Sequence, residues 1–187
     1  APQSFVLRVD SPNAAPVVNY AVPAGIVLAP IGPGNSADLA TGMVVQPNGK
    51  IVVVGQSSTA ETSQDFTVVR YNADGSFDTT FGGDGIVVTP VAAGSGTDAA
   101  NSVALQSDGK IVVVGTNSAD FAVTRYNADG SLDATFGGDG IVTTAIGPAS
   151  SRDEALRVTV QGDGKIVVVG YAQNSTAVPP PTPPQSA

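Results

Sequence analysis

The side chains with the clearest chemical potential in this sequence are the acids and amides of a loop that occurs twice. The loop reads NADGSFD from Asn72 to Asp78 and NADGSLD from Asn127 to Asp133. It places oxygen-bearing side chains at alternate positions, and calcium is a hard cation that prefers oxygen ligands. The candidate calcium ligands are Asn72, Asp74 and Asp78 in the first copy and Asn127, Asp129 and Asp133 in the second.

The same loops also have a purely structural interpretation. The first position is Asn rather than Asp, and no Glu follows that could bind a cation with both oxygens. Asn and Asp side chains commonly close turns by hydrogen bonding to the backbone two residues further on. The sequence leaves both interpretations open, and no other metal or cofactor is predicted.

Most of the basic residues recur in register with these loops. They are Lys50, Lys110, Lys165, Arg8, Arg70 and Arg125, out of 8 Lys and Arg in the chain. A repeated ligand site is one interpretation. In the other, each Arg pairs with a loop carboxylate such as Asp78 or Asp133, and the repetition in successive units favours this structural role.

The sequence offers little for catalysis. It contains no His and no Cys, so the commonest general base and the thiolate nucleophile are both missing. Glycoside hydrolysis would require one distinctive pair of carboxylic acids, whereas the acids of this chain lie in repeated turns. We therefore predict that the protein is not an enzyme.

Charge and composition narrow the partners and the location. The formal net charge is -8 with a sequence pI near 4.1, which argues against nucleic acid and anionic membrane surfaces. No apolar run approaches the roughly 18 residues that would insert into a bilayer. Charged residues are only 13% of the chain, which is typical of secreted β-proteins rich in turns. We expect an extracellular or cell-surface protein; a start at Ala1 would fit a removed signal peptide, and Asn174 heads a glycosylation sequon.

An internal repeat organises the chain. The segments GIVLAPIG, GIVVTPVA and GIVTTAIG begin at Gly25, Gly85 and Gly140, at spacings of 60 and 55 residues. The same two spacings separate the three GK pairs that begin at Gly49, Gly109 and Gly164. The unit is therefore 55 residues long, with five extra residues in a surface loop of the first copy.

Each unit is predicted to hold four β-strands. The first is GIVVT or its copies, the second MVVQ, VALQ or VTVQ, the third KIVVVG and the fourth DFTVVRY or DFAVTRY. An Asn-Gly or Asp-Gly turn joins the second strand to the third, which is the strongest short hairpin signal. KIVVVG is apolar on both faces, so both faces should be covered. Repeated four-stranded units of this length favour an all-β fold of β-propeller-like blades over a β-sandwich or a β-solenoid.

The repeated stretches also resemble a known family. The segment QSDGKIVVVG, followed by DFAVTRYNADGSLDATFGGDGIVTT, is similar to the delta-60 repeat of bacterial β-propellers, and the resemblance covers about residues 25 to 178. It implies a secreted or surface propeller and brings no catalytic residues with it. Arrays of that family are usually longer than this chain.

We divided the chain on this basis into six parts. They are a donor strand at 1–10, a linker at 11–24, blade 1 at 25–84, blade 2 at 85–139, an incomplete blade 3 at 140–171 and a Pro-rich tail at 172–187. Blade 3 lacks its fourth strand in the sequence, which would leave Ile166, Val167, Val168 and Val169 on an open edge. Native proteins cover such edges.

The chain begins with a segment like the missing strand. SFVLRVD resembles DFAVTRYN with one residue fewer, and Arg8 falls where Arg70 and Arg125 lie. A ring of three blades is below the usual four to eight. We therefore expect the donor strand, Phe5, Val6, Leu7, Arg8 and Val9, to complete blade 3 of another chain.

These expectations lead to one main function and two alternatives. The main hypothesis is an extracellular structural subunit whose only partner is itself and which polymerises head to tail into a fibre. The first alternative is a closed, six-bladed dimer that binds a ligand or mediates adhesion. The second is a piece of a longer propeller.

Overall fold

The protein is represented by a computed structural model that describes residues 6–8, 26–28, 38–58, 64–92, 96–148 and 152–173. Only the backbone is described for the first two segments. Every regular element in these residues is a β-strand. In chain order they are β1 (Val6–Arg8), β2 (Ile26–Leu28), β3 (Leu39–Val45), β4 (Ile51–Ser58), β5 (Gln64–Tyr71), β6 (Ile86–Thr89), β7 (Ala99–Leu105), β8 (Ile111–Thr116), β9 (Phe121–Tyr126), β10 (Ile141–Thr144), β11 (Arg152–Val160) and β12 (Ile166–Gln173).

The longer strands form three antiparallel sheets. Sheet 1 has the order β3-β4-β5-β6, sheet 2 has the order β7-β8-β9-β10, and sheet 3 consists of β11 and β12. The prediction of an all-β chain built from four-stranded antiparallel blades is confirmed.

The grouping of strands differs from the predicted units by one strand. The segment predicted to be the first strand of a unit, such as β6, pairs with the last strand of the preceding unit, β5. The glycine-rich turn before β6 causes this, because the Arg70 amide donates to the Gly85 carbonyl at 2.9 Å and folds the chain back. Gly85 has a φ of +94°, a conformation that glycine adopts readily. The domain boundaries given above remain predictions.

The tight hairpins have the local chemistry that the sequence predicts. Gly49, Gly109 and Gly164 all have positive φ, between +82° and +86°. In each turn the amide of the following Lys bonds to the preceding Asn or Asp side chain at 3.1 Å. These turns fix the register of the two strands that they join.

The three sheets stack face to face in chain order. The first junction, between sheets 1 and 2, is a cluster of buried side chains that includes Val52, Val54, Ile111 and Val113. The second junction, between sheets 2 and 3, centres on Val112, Val114 and Ala155. In β8, which lies in the middle sheet, alternate residues of the sequence IVVV therefore face opposite neighbouring sheets, as the pleat requires.

Candidate functional site

The third sheet is the part of the chain where the repeated architecture is unfinished. Within the described residues β12 pairs only with β11, whereas β4 and β8 each lie between two strands. All three strands begin with the sequence IVVVG. The predicted acceptor residues, Ile166 to Val169, lie in β12, so the outer side of this strand carries backbone groups without a neighbouring strand in the described part of the chain.

The faces of the same three strands also differ. The valines compared are those that point toward the following sheet in β4 and β8, together with their equivalents in β12. Their exposed fractions are 0% and 1% for Val52 and Val54, 0% and 0% for Val112 and Val114, and 38% and 57% for Val167 and Val169. Ile166 and Val168 point the other way and pack into the second junction. In the described residues β12 therefore lacks both a second neighbouring strand and a sheet packed against Val167 and Val169. These are separate features, because side chains stand perpendicular to the direction in which strands pair.

The second junction is open at its outer end, where the first is closed. Phe66 and Val68 of β5 are fully buried against sheet 2. Their equivalents in β9, Phe121 and Val123, are only partly buried. Sheet 3 presents no third strand in the described residues to cover them.

The loop that follows β9 takes part in the first junction. Arg70 donates from Nη1 to the Ala128 carbonyl, and the Gly82 amide donates to the Asp129 carbonyl at 2.9 Å. Phe81, over which the Arg70 guanidinium lies at 4.5 Å, is fully buried there.

Among the described residues, no such loop reaches the equivalent site in the second junction. Arg125 lies over Phe136 at 4.6 Å, but Phe136 is partly exposed. The Arg125 side chain is 17% exposed against 6% for Arg70. In the described residues sheet 3 has two strands where sheets 1 and 2 have four, so the second junction lacks the equivalents of β9, of the loop that follows β9 and of β10.

The predicted donor segment has a different partner in the single chain. β1 pairs with β2 in parallel, with Val6 opposite Ile26 and Arg8 opposite Leu28. The equivalent pair β5 and β6 is antiparallel. Phe5 and Val9 lie outside the described residues, as do Asn174 and most of the Pro-rich tail.

The acidic loops use their side chains for internal contacts. Asp74 Oδ1 accepts hydrogen bonds from the Ser76 amide at 3.0 Å and hydroxyl at 2.6 Å, and Asn72 Nδ2 donates to the Ser76 hydroxyl at 3.1 Å. Asp129 and Ser131 repeat the first contact at 2.9 and 2.6 Å. These are the contacts of the turn interpretation; within the described residues no three acids, His or Cys are grouped as metal ligands.

The last acid of each loop belongs to a cluster of opposite charges. Asp78 Oδ2 accepts from Arg70 Nε at 2.5 Å and from Lys50 Nζ at 2.7 Å. Asp133 Oδ2 lies 2.7 Å from Arg125 Nε and 3.1 Å from Lys110 Nζ. A cation bound at either loop would have to compete with the Lys and Arg side chains for the carboxylate. In sheets 1 and 2 the repeated Lys and Arg residues pair with loop carboxylates, which is the structural role expected for them.

The cluster holds both carboxyl groups in the charged form. Burial opposes the charge of Asp78, but hydrogen bonds from Lys50, Thr80 and Arg70 outweigh it and hold its pKa well below the usual value. For Asp133 the Thr135 hydroxyl is the largest cause of a lowered pKa, with Lys110 adding to it.

A second set of repeated acids was not singled out from the sequence. Asp98 and Asp153 are fully buried, and each accepts two backbone amides of the loop that leads into its strand. Asp98 Oδ2 binds the amides of Val91 and Ala92 at 2.6 and 2.9 Å, and burial raises the pKa of Asp98. The signal was present, since these acids recur with Asp38 at the repeat spacings of 60 and 55 residues.

No helix that could cross a membrane occurs in the described residues. Among curated proteins, no sequence matches the chain. The model of a family described as "Domain of unknown function (DUF5122) beta-propeller" matches residues 46–81, 106–136 and 161–178. Each matched stretch begins at the Gln that precedes a hairpin turn, and the match supports a β-propeller repeat family.

Several chains of solved structures match this chain. One of them is the selenomethionine-substituted virginiamycin B lyase from Staphylococcus aureus, at 15% identity and a TM-score of 0.36. The alignment covers 74% of this chain and 46% of that chain, so the chain spans less than half of the length of that protein. No functional conclusion about this chain follows from so distant a likeness.

Proposed function

We propose that this protein is a non-enzymatic extracellular structural subunit, built from repeats of the delta-60 type, that polymerises head to tail by β-strand complementation. Residues Phe5 to Val9 of one chain add to Ile166 to Val169 of the next. The observation that carries the proposal is that β12 has a single neighbouring strand among the described residues, whereas β4 and β8 have two. An exposed strand edge is a template for pairing with another chain.

The open second junction supports the same arrangement. A strand added to β12 would take the place that β9 occupies beside β8. In the first junction, β9 places Ala122 and Tyr126 in the same buried cluster as Phe66 and Val68 of sheet 1. A complementing strand would cover Phe121 and Val123 in the equivalent way.

The repeat also gives the register of the added strand. Arg70 lies opposite Val52, and Arg125 lies opposite Val112. By the same rule Arg8 of the incoming chain lies opposite Val167, and Val6 lies opposite Val169. In the single chain β1 pairs with β2 along one edge, so addition to β12 uses the other edge of β1, as β9 pairs with both β8 and β10.

The incoming strand does not bring every feature of β5 and β9. Those strands place their Arg eight residues before Asp78 or Asp133, whereas Asp10 is the only acid among residues 1–37. The cluster of Lys, Asp and Arg therefore has no equivalent beside Lys165, whose Nζ lies 2.5 Å from Asp163 instead. We expect backbone hydrogen bonds and apolar side chains to supply the affinity.

Engineered disulfides test the pairing in the full chain, which has no natural Cys. Residues opposite each other in an antiparallel pair have Cα atoms about 4.5 to 5.5 Å apart, within the range that a disulfide can bridge. The variant with Val6→Cys and Val169→Cys should therefore cross-link. The matched control has Val6→Cys and Val168→Cys, which places the two thiols on opposite faces and should not.

The size of the cross-linked product separates the alternatives. A ladder of covalent oligomers on a denaturing gel is expected for a polymer, and a covalent dimer alone would replace it with the closed six-bladed ring. A monomer without free thiols would mean that the strand closes its own chain, and a monomer that keeps both thiols free would overturn strand complementation. Deletion of residues 1–10 should abolish assembly, and electron microscopy should show filaments of the intact chain.

A further inference from the structure

The outermost faces of the stack of three sheets carry most of the large apolar side chains that are strongly exposed. On the side of sheet 1 that faces away from sheet 2, Met43 and Val45 of β3 are 56% and 58% exposed; we call them the head face. On the side of sheet 3 that faces away from sheet 2, Val167 and Val169 of β12 are 38% and 57% exposed; we call them the tail face.

The chain itself contains a template for how such faces are covered. The repeat places Val103 and Leu105 of β7 where Met43 and Val45 lie in β3. In the first junction these two residues pack against the buried cluster that contains Val52 and Val54.

The second junction repeats the contact. Val158 of β11, the equivalent of Met43, packs against the cluster that contains Val112 and Val114. A head-type surface thus meets a tail-type surface twice within one chain, and one surface of each type remains at the two ends of the stack.

We propose that the tail face of one chain stacks on the head face of a second copy, as a third junction of the same kind. This inference rests on the proposed function and extends it, because strand complementation accounts for the open edge of β12 but not for the exposure of Val167 and Val169. The second copy is the occupant that the structure favours, because surfaces of the head type already cover surfaces of the tail type at both junctions of the described residues. Because head and tail are different surfaces, the contact is heterologous and either closes a ring or continues as a filament.

The head face is limited to β3, which is an edge strand of sheet 1. Farther along the same side of sheet 1, Ile51, Val53 and Val69 are already buried, with Phe77 and Ile86 packed against them. The proposed contact therefore places the tail valines against β3, the strand through which sheet 1 presents its exposed apolar side chains.

Two single substitutions test this contact. Val45→Asp removes the head face, and Val169→Asp removes the tail face; both positions are more than half exposed in the single chain, so each variant should fold. Burial of an unpaired carboxylate in the contact is unfavourable, and each variant alone should require a concentration more than about tenfold higher for assembly. Asn48→Asp is the matched control, because it adds the same charge in a hairpin turn where the other two units already have Asp108 and Asp163.

An equimolar mixture of the two variants is the decisive sample. The intact tail of the Val45→Asp chain and the intact head of the Val169→Asp chain can form one junction. At concentrations too low for either variant to assemble alone, the mixture should therefore give dimers by light scattering and nothing larger. If either variant dimerises alone through its remaining face, the contact joins like surfaces and the inference is overturned. If both variants assemble as the unmodified chain does while the variant with Val6→Cys and Val169→Cys still gives its ladder, stacking is wrong and strand complementation stands. If that cysteine variant gives no ladder, the proposed function itself fails.

Discussion

At the scale of single residues, two equivalent tyrosines have different environments. The Tyr126 hydroxyl donates to Thr89 Oγ1 at 2.8 Å in the buried first junction. The repeat places Ala29 where Thr89 would be needed for Tyr71, and the buried Tyr71 hydroxyl has no hydrogen-bond partner among the described residues. Burial raises the pKa of Tyr71 to about 12.

Replacement of each tyrosine by Phe should separate these roles. Tyr126→Phe loses a buried hydrogen bond and leaves Thr89 without its partner, so it should lower the free energy of unfolding by about 1 kcal/mol. Tyr71→Phe removes an unpaired hydroxyl and should leave stability unchanged or raise it. Urea denaturation of the two variants measures both, and equal losses would contradict the assignment.

The charged clusters make a second prediction about single residues. Asp78 is buried between Arg70 and Lys50, so Asp78→Asn leaves a buried guanidinium without its carboxylate. We expect the variant to lose about 3 kcal/mol of stability, the order found when one partner of a buried pair is removed. Asp133→Asn is the comparison, and its loss should be smaller because Arg125 is more exposed.

The same clusters set the response to acid. The pKa values of Asp78 and Asp133 are lower in the folded chain than the ordinary value of 3.8, so folding favours their charged forms. Their contribution is complete above pH 4 and is lost as the pH falls through the folded values. Thermal unfolding measured between pH 7 and pH 2 should show this loss, and the loss should be smaller in the Asp78→Asn variant.

At the scale of elements, the sequence predicted the strands better than their grouping. The Asn-Gly and Asp-Gly turns and the apolar IVVV runs have local causes, and the structure has hairpins and strands where these patterns place them. A periodic pattern gives the length of a unit but not where a unit begins. β6 and β10 pair with the strands that precede them because the chain reverses direction at Gly85 and Gly140. The carbonyls of these glycines accept hydrogen bonds from the backbone amides of Arg70 and Arg125 at 2.9 Å.

The candidate site was predictable only in part for a related reason. The sequence shows directly that no copy of DFTVVRY or DFAVTRY follows the third IVVVG. The different exposures of Val167 and Val169 on one face and Ile166 and Val168 on the other do not, because they depend on which sheet packs against which side. The open outer end at Phe121 and Phe136 likewise requires knowledge of the sheet order.

Hydrogen exchange should distinguish the three copies of IVVVG at this scale. The copies share intrinsic exchange chemistry because their sequence is the same, so differences report structure. In unassembled protein, amides of β4 and β8 should exchange slowly, and alternate amides of β12 should exchange faster because only one strand pairs with it. Of the three copies, only β12 should exchange more slowly after assembly. Slow exchange in β12 of the monomer would show that its edge is already paired.

At the scale of the whole molecule, charge and apolar surface act in opposite directions on assembly. Each chain carries a formal net charge of -8, so two copies repel, while the proposed contact surfaces are apolar. Salt reduces the range of this repulsion from about 30 Å at 0.01 M to about 8 Å at 0.15 M. The concentration at which half of the chains are assembled should therefore fall as sodium chloride is raised between these values. Analytical ultracentrifugation at both ionic strengths measures it, and weaker assembly at 0.15 M would mean that attractive ion pairs, rather than the valines of the tail face, hold the copies together.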